Sequence, residues 1–125
     1  MRSIKTSLSN KEVVTNLTAK LNLGAENVIA RVALSLSLSK MKKFNISDVK
    51  DSKGKEYTKN IFFGDYYFIY VSLVCQLYQI NRLDPSIPKL IKIHLDDGLE
   101  ILDKEFSDSN NKGIDYLLTS LPTGL

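Results

Sequence analysis

The segment from Tyr66 to Ile80 constrains the fold of this chain more than any other feature. It contains no charged residue and is apolar on nearly every side of a helix, with Gln76 and Gln79 as polar interruptions. An apolar surface of this kind has to be buried on more than one side. The segment is too short and too polar to cross a bilayer. The sequence therefore predicts a central core helix over about residues 63–81.

Periodic apolar residues predict four further helices. These run from about Asn10 to Asn22, from Ala25 or Glu26 to about Ser39, from about Ser86 to Glu105, and from Ile114 to Leu121. Weak alternation over residues 2–7 predicts a short extended arm before them. We expect a single mainly α domain over residues 1–125, a bundle of about four to five helices with an N-terminal extended arm.

Local signals predict how some of these helices begin, end and pack. Ser9 and Glu12 have the spacing of a capping box, which places the start of the first helix near Asn10. Gly24 suits a left-handed turn at the end of that helix. Gly98 lies inside the helix from Ser86, where glycine indicates a close contact between helices, within one subunit or between subunits.

Residues 34–39 alternate leucine and serine, which is a strand pattern. The alanines and the apolar face before them favour a helix that continues through this segment. In a helix, Leu34 and Leu38 lie off the main apolar face and need a second cover. A partner subunit can supply that cover, so the pattern predicts an oligomer.

Charge is distributed unevenly along the chain. The net charge is only +3, but residues 1–64 carry +7 and residues 65–125 carry −4. Lysines suit contact with phosphates without reading bases. A solvated lysine-rich surface and pairing of the two halves between copies remain open as alternatives. The candidate DNA-binding residues come from the first 43 residues: Arg2, Lys5, Lys11, Lys20, Lys40, Lys42 and Lys43.

Signals for catalysis, cofactors or metals are weak. The chain has one histidine and one cysteine, and no glycine-rich phosphate loop, so we expect neither an enzyme nor a cofactor. The one candidate cluster is His94 with Asp96, Asp97 and Glu100. We interpret this cluster as part of a helix with a partly buried histidine and a solvated acidic side. This interpretation is preferred to a metal site or the active site of a nickase. Cys75 is expected to be a buried, inert thiol, and the cytoplasm is the expected compartment.

An extended arm followed by two helices is also the element order of a ribbon-helix-helix module. In that module two arms pair across a dimer and enter the major groove. This order makes a transcriptional regulator an alternative function. A purely structural assembly subunit is another.

Three motifs together resemble the DndE family, which is encoded with the bacterial DNA phosphorothioation machinery. They are Arg31–Leu38, Gly64–Tyr66 followed by Tyr70, and His94–Gly98. Their order and spacing cover residues 31–98, and the arm and first helix also fit the family.

The resemblance implies a mainly helical homotetramer that binds double-stranded DNA and prefers nicked duplex. It implies an accessory subunit of a system that replaces a non-bridging phosphate oxygen with sulfur. A cysteine desulfurase and ATP-dependent sulfur-transfer partners would perform the redox chemistry. The resemblance attributes DNA contact to surface lysines but does not identify them. Arg31 lies within a motif on an apolar helix, where an ion pair is at least as expected as phosphate contact.

Overall fold

The computed structural model describes residues 1–108. The main elements are β1 (Ser3–Lys5), α1 (Leu8–Leu21), α2 (Glu26–Ser39), β2 (Glu56–Thr58), α3 (Lys59–Phe63), α4 (Tyr67–Tyr78) and α5 (Ile87–Asp108). One 3₁₀ turn covers Ile46–Asp48 and another covers Gly64–Tyr66. The prediction of a mainly helical chain is confirmed. The helix predicted from Ile114 to Leu121 lies outside the described residues.

The centre of the fold is the antiparallel pair of α2 and α5, which pack more extensively than any other two elements. Gly98 permits this approach. A Cβ atom at Gly98 would overlap the carbonyl group of Ala33 on α2. The glycine therefore marks a close helix–helix contact within one subunit. This was one of the two contacts predicted from the sequence, the other being a contact between subunits.

The leucine–serine alternation of α2 is explained by burial on all sides of the helix. Leu34, Leu36 and Leu38 are all buried within this one chain. The serines between them are also buried, and each has a hydrogen-bonding partner on another helix. The second cover that Leu34 and Leu38 require therefore comes from this chain itself, and a partner subunit, the cover suggested from the sequence, is not needed for them.

The apolar segment from Tyr66 is not the centre of the core. It forms α4, which buries Tyr70, Val74 and Leu77 but leaves Phe68 70% and Ile69 48% exposed. The position predicted for this helix was therefore wrong. α2 and α5 occupy the interior, and α4 packs on their outside.

The stretch Lys59–Tyr78, which joins α3, the 3₁₀ turn and α4, has the length and composition of a membrane-crossing helix, with a mean hydropathy of 1.2. Only 33% of its most apolar window is buried. Helices of soluble cores meet the same length and composition, so this stretch is weak evidence for a membrane.

The N-terminal arm forms a strand, but it pairs within its own chain. β1 and β2 are antiparallel, with Ser3 opposite Thr58 and Lys5 opposite Glu56. A ribbon-helix-helix dimer instead pairs the two arms of different subunits. The ribbon-helix-helix-like interpretation of the arm is therefore wrong, and the regulator hypothesis loses its structural basis.

Helix α1 begins earlier than predicted and is capped by distant carboxylates. Its N-cap is Ser7, so the predicted capping box of Ser9 and Glu12 does not start the helix. The Ser7 amide donates to Asp96 over 3.0 Å, and the Leu8 amide donates to Asp51 over 2.9 Å. Both carboxylates satisfy amides that a helix N-terminus otherwise leaves free.

The end of α1 also differs from the prediction in one residue. The left-handed residue at the C-cap is Asn22, with a φ of 53°, and its amide donates to the carbonyl of Thr18. Asparagine tolerates this conformation better than most residues with a Cβ atom. Gly24 has a φ of 100° but lies beyond the cap.

Candidate nucleic-acid interface

The most concentrated positive charge is at the end of α2, in the four residues 40–43, here called the basic loop. Lys40, Lys42 and Lys43 are all exposed. Met41 between them has a left-handed φ of 58° and is 67% exposed. None of the three lysines forms a salt bridge within residues 1–108. Three cations with no carboxylate partner in this part of the chain are available to an external anion.

Phe44 anchors the far end of the basic loop to the helices. Its amide donates to the hydroxyl of Tyr78, the last residue of α4, over 2.9 Å. Its ring meets the His94 ring edge-on, with centroids 5.1 Å apart. Lys42 Nζ lies 4.9 Å from the centre of the Phe44 ring, within cation–π range. The loop is thus held by α2 at one end and by α4 and α5 at the other.

A shallow cleft of about 350 Å³ lies beside the basic loop. Lys42 and Lys43 line it together with Lys50 from the following loop. Acidic residues line it too, and Lys50 forms a salt bridge with Glu100. The cleft is therefore of mixed charge, and the lysines in its lining that form no salt bridge within residues 1–108, Lys42 and Lys43, belong to the basic loop.

His94 is fully buried behind this cleft and bonded at both ring nitrogens. Nδ1 lies 2.8 Å from the Ser37 hydroxyl, and Nε2 lies 2.7 Å from the Tyr78 hydroxyl. Ser37 also donates to Asp97 over 2.7 Å. Burial lowers the pKa of His94 to about 4, against the weaker opposing effect of Asp97. The histidine is therefore neutral at pH 7.

The arrangement around His94 is not that of a nucleophilic triad. In such a triad the histidine lies between the serine and the carboxylate. Here Ser37 lies between His94 and Asp97, and its side chain is buried. The histidine was expected to be partly buried, and the structure shows that it is fully buried.

Asp96 and Glu100, the remaining members of the predicted acidic cluster, bind different partners. Asp96 is buried, accepts from Asn10 Nδ2 over 2.8 Å, and pairs with Lys92 over 2.8 Å. Lys92 also donates to the carbonyl of Lys5, so this pair ties β1 and α1 to α5. Asp96 was wrongly expected on a solvated side of the helix. Residues 1–108 contain no group of three metal-ligating side chains around one point.

The other predicted basic residues lie on elements other than the basic loop. Arg2 and Lys5 are exposed beside the two-stranded sheet, where Lys5 Nζ lies 3.7 Å from a Glu56 carboxylate oxygen. Lys11 is exposed on α1. Lys20 donates to the carbonyl of Phe106, which at 1.5 Å per residue is on the order of 14 Å further along α5 than Asp97.

One cation was missed by the sequence interpretation, and another has no partner in the described part of the chain. Lys50 enters the cleft beside Lys42 and Lys43 only because the loop folds back onto α5, and no spacing in the sequence signals this. Arg31 is half-buried on α2 near Gly64. No salt bridge within residues 1–108 includes Arg31, so an ion pair, structural or between subunits, and a phosphate contact both stay predictions.

The outer face of α4 forms an exposed apolar patch. Phe68 and Ile69 project from it beside Tyr66, and Ile61 of α3 is 60% exposed. Cys75 is half-buried on the same helix rather than fully buried as expected. Contiguous apolar side chains on a soluble surface commonly mark an interaction site.

Comparison with known proteins identifies a family and a solved structure of similar fold. The family model of DndE, a DNA sulphur modification protein, matches residues 3–110. The crystal structure of DndE from Escherichia coli B7A, involved in DNA phosphorothioation modification, superposes with a TM-score of 0.67. The two sequences are 19% identical, and the match covers 82% of this chain and 96% of that one. No curated protein matches this sequence significantly.

Proposed function

This chain belongs to the DndE family, and on that premise we propose that it is a non-catalytic, DNA-binding subunit of the bacterial DNA phosphorothioation system. It holds double-stranded DNA through lysine–phosphate contacts and prefers nicked duplex. The basic loop carries the proposal: Lys40, Lys42 and Lys43 are exposed, adjacent and without a carboxylate partner in the described part of the chain.

A non-catalytic role is supported by the state of the reactive side chains. The single histidine of the chain, His94, is buried, neutral and bonded at both nitrogens. The single cysteine, Cys75, has no basic neighbour in sequence to activate it. The sulfur chemistry then belongs to the other subunits of the modification machinery, which are the proposed protein partners in the cytoplasm.

One copy of the chain offers few phosphate contacts, which favours an assembly. Binding through several copies on one duplex raises the affinity without any new contact. We propose a homotetramer, and the exposed patch on α4 supports self-association. The same patch supports the alternative of a purely structural assembly subunit. Failure of the purified protein to shift intact or nicked duplex at low salt would favour that alternative.

The DNA-binding proposal is tested by replacing Lys40, Lys42 and Lys43 together with alanine. Each lost phosphate contact reduces the slope of log affinity against log salt by about 0.9. We therefore expect weaker binding and a slope smaller by about 2 to 3 for each copy in contact with the duplex, measured by fluorescence anisotropy on intact and nicked duplexes.

The matched control replaces the same three lysines with arginine. Arginine keeps the positive charge and also contacts phosphates, so we expect this variant to retain its affinity and salt slope. Wild-type binding by the alanine variant at every salt concentration would show that the basic loop is not the DNA surface.

A further inference from the structure

We propose that Tyr78, His94 and Ser37 form a hydrogen-bond chain that positions the basic loop for DNA. This inference rests on the proposed function, because it assigns a role to residues that support the DNA-binding lysines. The three residues come from α4, α5 and α2, and they connect the backbone of Phe44 to the carboxylate of Asp97.

The direction of every hydrogen bond between Phe44 and Asp97 follows from the two ends of this hydrogen-bond chain. The Phe44 amide is only a donor, so it donates to the Tyr78 oxygen. At the other end Ser37 donates its one hydroxyl proton to Asp97. His94 Nδ1 must then donate to Ser37, which leaves Nε2 to accept from the Tyr78 hydroxyl. This assigns one neutral tautomer and leaves no donor in the chain unused.

The hydrogen-bond chain attaches the C-terminal end of the basic loop to the helices. The near end of the loop continues directly from α2, whose Ser37 belongs to the same network. Phe44 is bound by Tyr78 through its amide and by the His94 ring through its own ring. Only residues 40–43 lie between these attachments, so the loop has little freedom to move.

Restricting the loop matters for binding because ordering flexible segments opposes association. A loop already ordered in the free protein loses less conformational freedom on the DNA. Lys42 shares this order, because it lies over the Phe44 ring. The network therefore raises DNA affinity without touching DNA, and Tyr78 and His94 act as positioning residues.

The test variant is Tyr78→Phe, which keeps the ring and removes the hydroxyl that joins Phe44 to His94. The matched control is Tyr57→Phe, because the buried Tyr57 hydroxyl has no hydrogen-bond partner among residues 1–108. We expect Tyr78→Phe to accelerate hydrogen exchange of the Phe44 amide and to weaken DNA binding about three- to tenfold. We expect Tyr57→Phe to change neither.

Two further measurements show whether Tyr78→Phe acts by positioning the loop. The salt dependence of binding detects a loss of phosphate contacts, and a double-mutant cycle detects a general loss of protein stability. Tyr78→Phe keeps every lysine, so its salt slope should equal that of the wild type. In the background of the triple alanine variant it should have no further effect on affinity. An equal loss of affinity in both backgrounds would overturn the inference, because the tyrosine would then act through general stability.

The outcomes also distinguish this inference from the proposed function. If the triple alanine variant loses binding and Tyr78→Phe binds like the wild type, only the positioning inference fails. If the triple variant itself binds normally, the DNA surface and its positioning both fail. Should Tyr78→Phe not fold, Phe44→Leu removes the ring contact with His94 from the loop side and is expected to give the same loss at constant salt slope.

Discussion

At the scale of single residues, hydrogen bonding decides the properties of His94. In sequence, this lone histidine near several carboxylates favours a structural role over a metal site or a nickase, but the pattern does not name its partners. Here burial penalises the charged form and lowers the pKa to about 4, although Asp97 opposes this shift. Neutral imidazole is also the form that accepts from Tyr78 while donating to Ser37.

The lowered pKa predicts acid-sensitive stability. Between pH 6.5 and about 4 the unfolded chain protonates His94 while the folded protein does not. The unfolded state therefore takes up more protons, and acidification across this range reduces the free energy of unfolding by up to about 3 kcal/mol from this group. Urea titrations at a series of pH values measure the loss.

The control for this prediction is His94→Gln, which has no titrating group at the position. The slope of unfolding free energy against pH should flatten in that range, whatever the absolute stability of the variant. Asp51 and Asp84 have pKa values lowered below 3.8 by hydrogen bonds to their carboxylates, so their effect falls at lower pH. A variant with the wild-type slope would contradict the buried, neutral histidine.

At the scale of elements, the contact between α2 and α5 outweighs helix propensity. Propensity alone favours alanine over glycine at position 98 by about 1 kcal/mol. The carbonyl group of Ala33 occupies the space that a Cβ atom would need. The glycine is therefore required by packing, and it keeps Ser37 of α2 within reach of His94 on α5.

Gly98→Ala is therefore expected to destabilise the protein by at least about 3 kcal/mol, since the two helices must move apart. Denaturant unfolding measures this loss. The matched control is Gly24→Ala, where a Cβ atom meets nothing within 4 Å and only the positive φ is unfavourable. That substitution should cost about 1–2 kcal/mol. A Gly98→Ala protein as stable as the wild type would rule out the close contact.

At the scale of the whole molecule, charge and apolar surface lie in different places. The free lysines are at the end of α2, whereas the exposed pair Phe68 and Ile69 lies near the start of α4. Self-association through α4 can therefore leave the basic loop of each copy open to DNA. This separation allows one assembly to present several basic loops to the same duplex.

The proposed homotetramer predicts a mass of about 56 kDa in solution, four times the 14.1 kDa of the chain. Replacing Phe68 and Ile69 together with glutamate should reduce that mass, because buried carboxylates without partners oppose association. Light scattering coupled to size exclusion measures the change. Leu8→Glu, at an exposed apolar residue on α1, is the control and should keep the mass. An unchanged mass for the α4 variant would place the interface elsewhere.

Local sequence patterns were enough to predict the helical class, the approximate spans of α1, α2 and α5, and the extended arm. They also identified Gly98 as a site of close helix contact and residues 40–43 as the densest cationic segment. These features follow from local periodicity, turn residues and charge, which act over a few neighbouring positions. The resemblance to the DndE family rested on the same short motifs.

The packing of the helices shows which elements are central and which partners the polar groups bind, and neither could be predicted from the sequence. This packing placed α2 rather than α4 in the interior, paired β1 with β2, and capped α1 with Asp51 and Asp96. It also joined Ser37, His94 and Tyr78 behind the basic loop. These contacts link positions far apart in the chain, and their formation depends on the packing of whole helices, which no local pattern encodes.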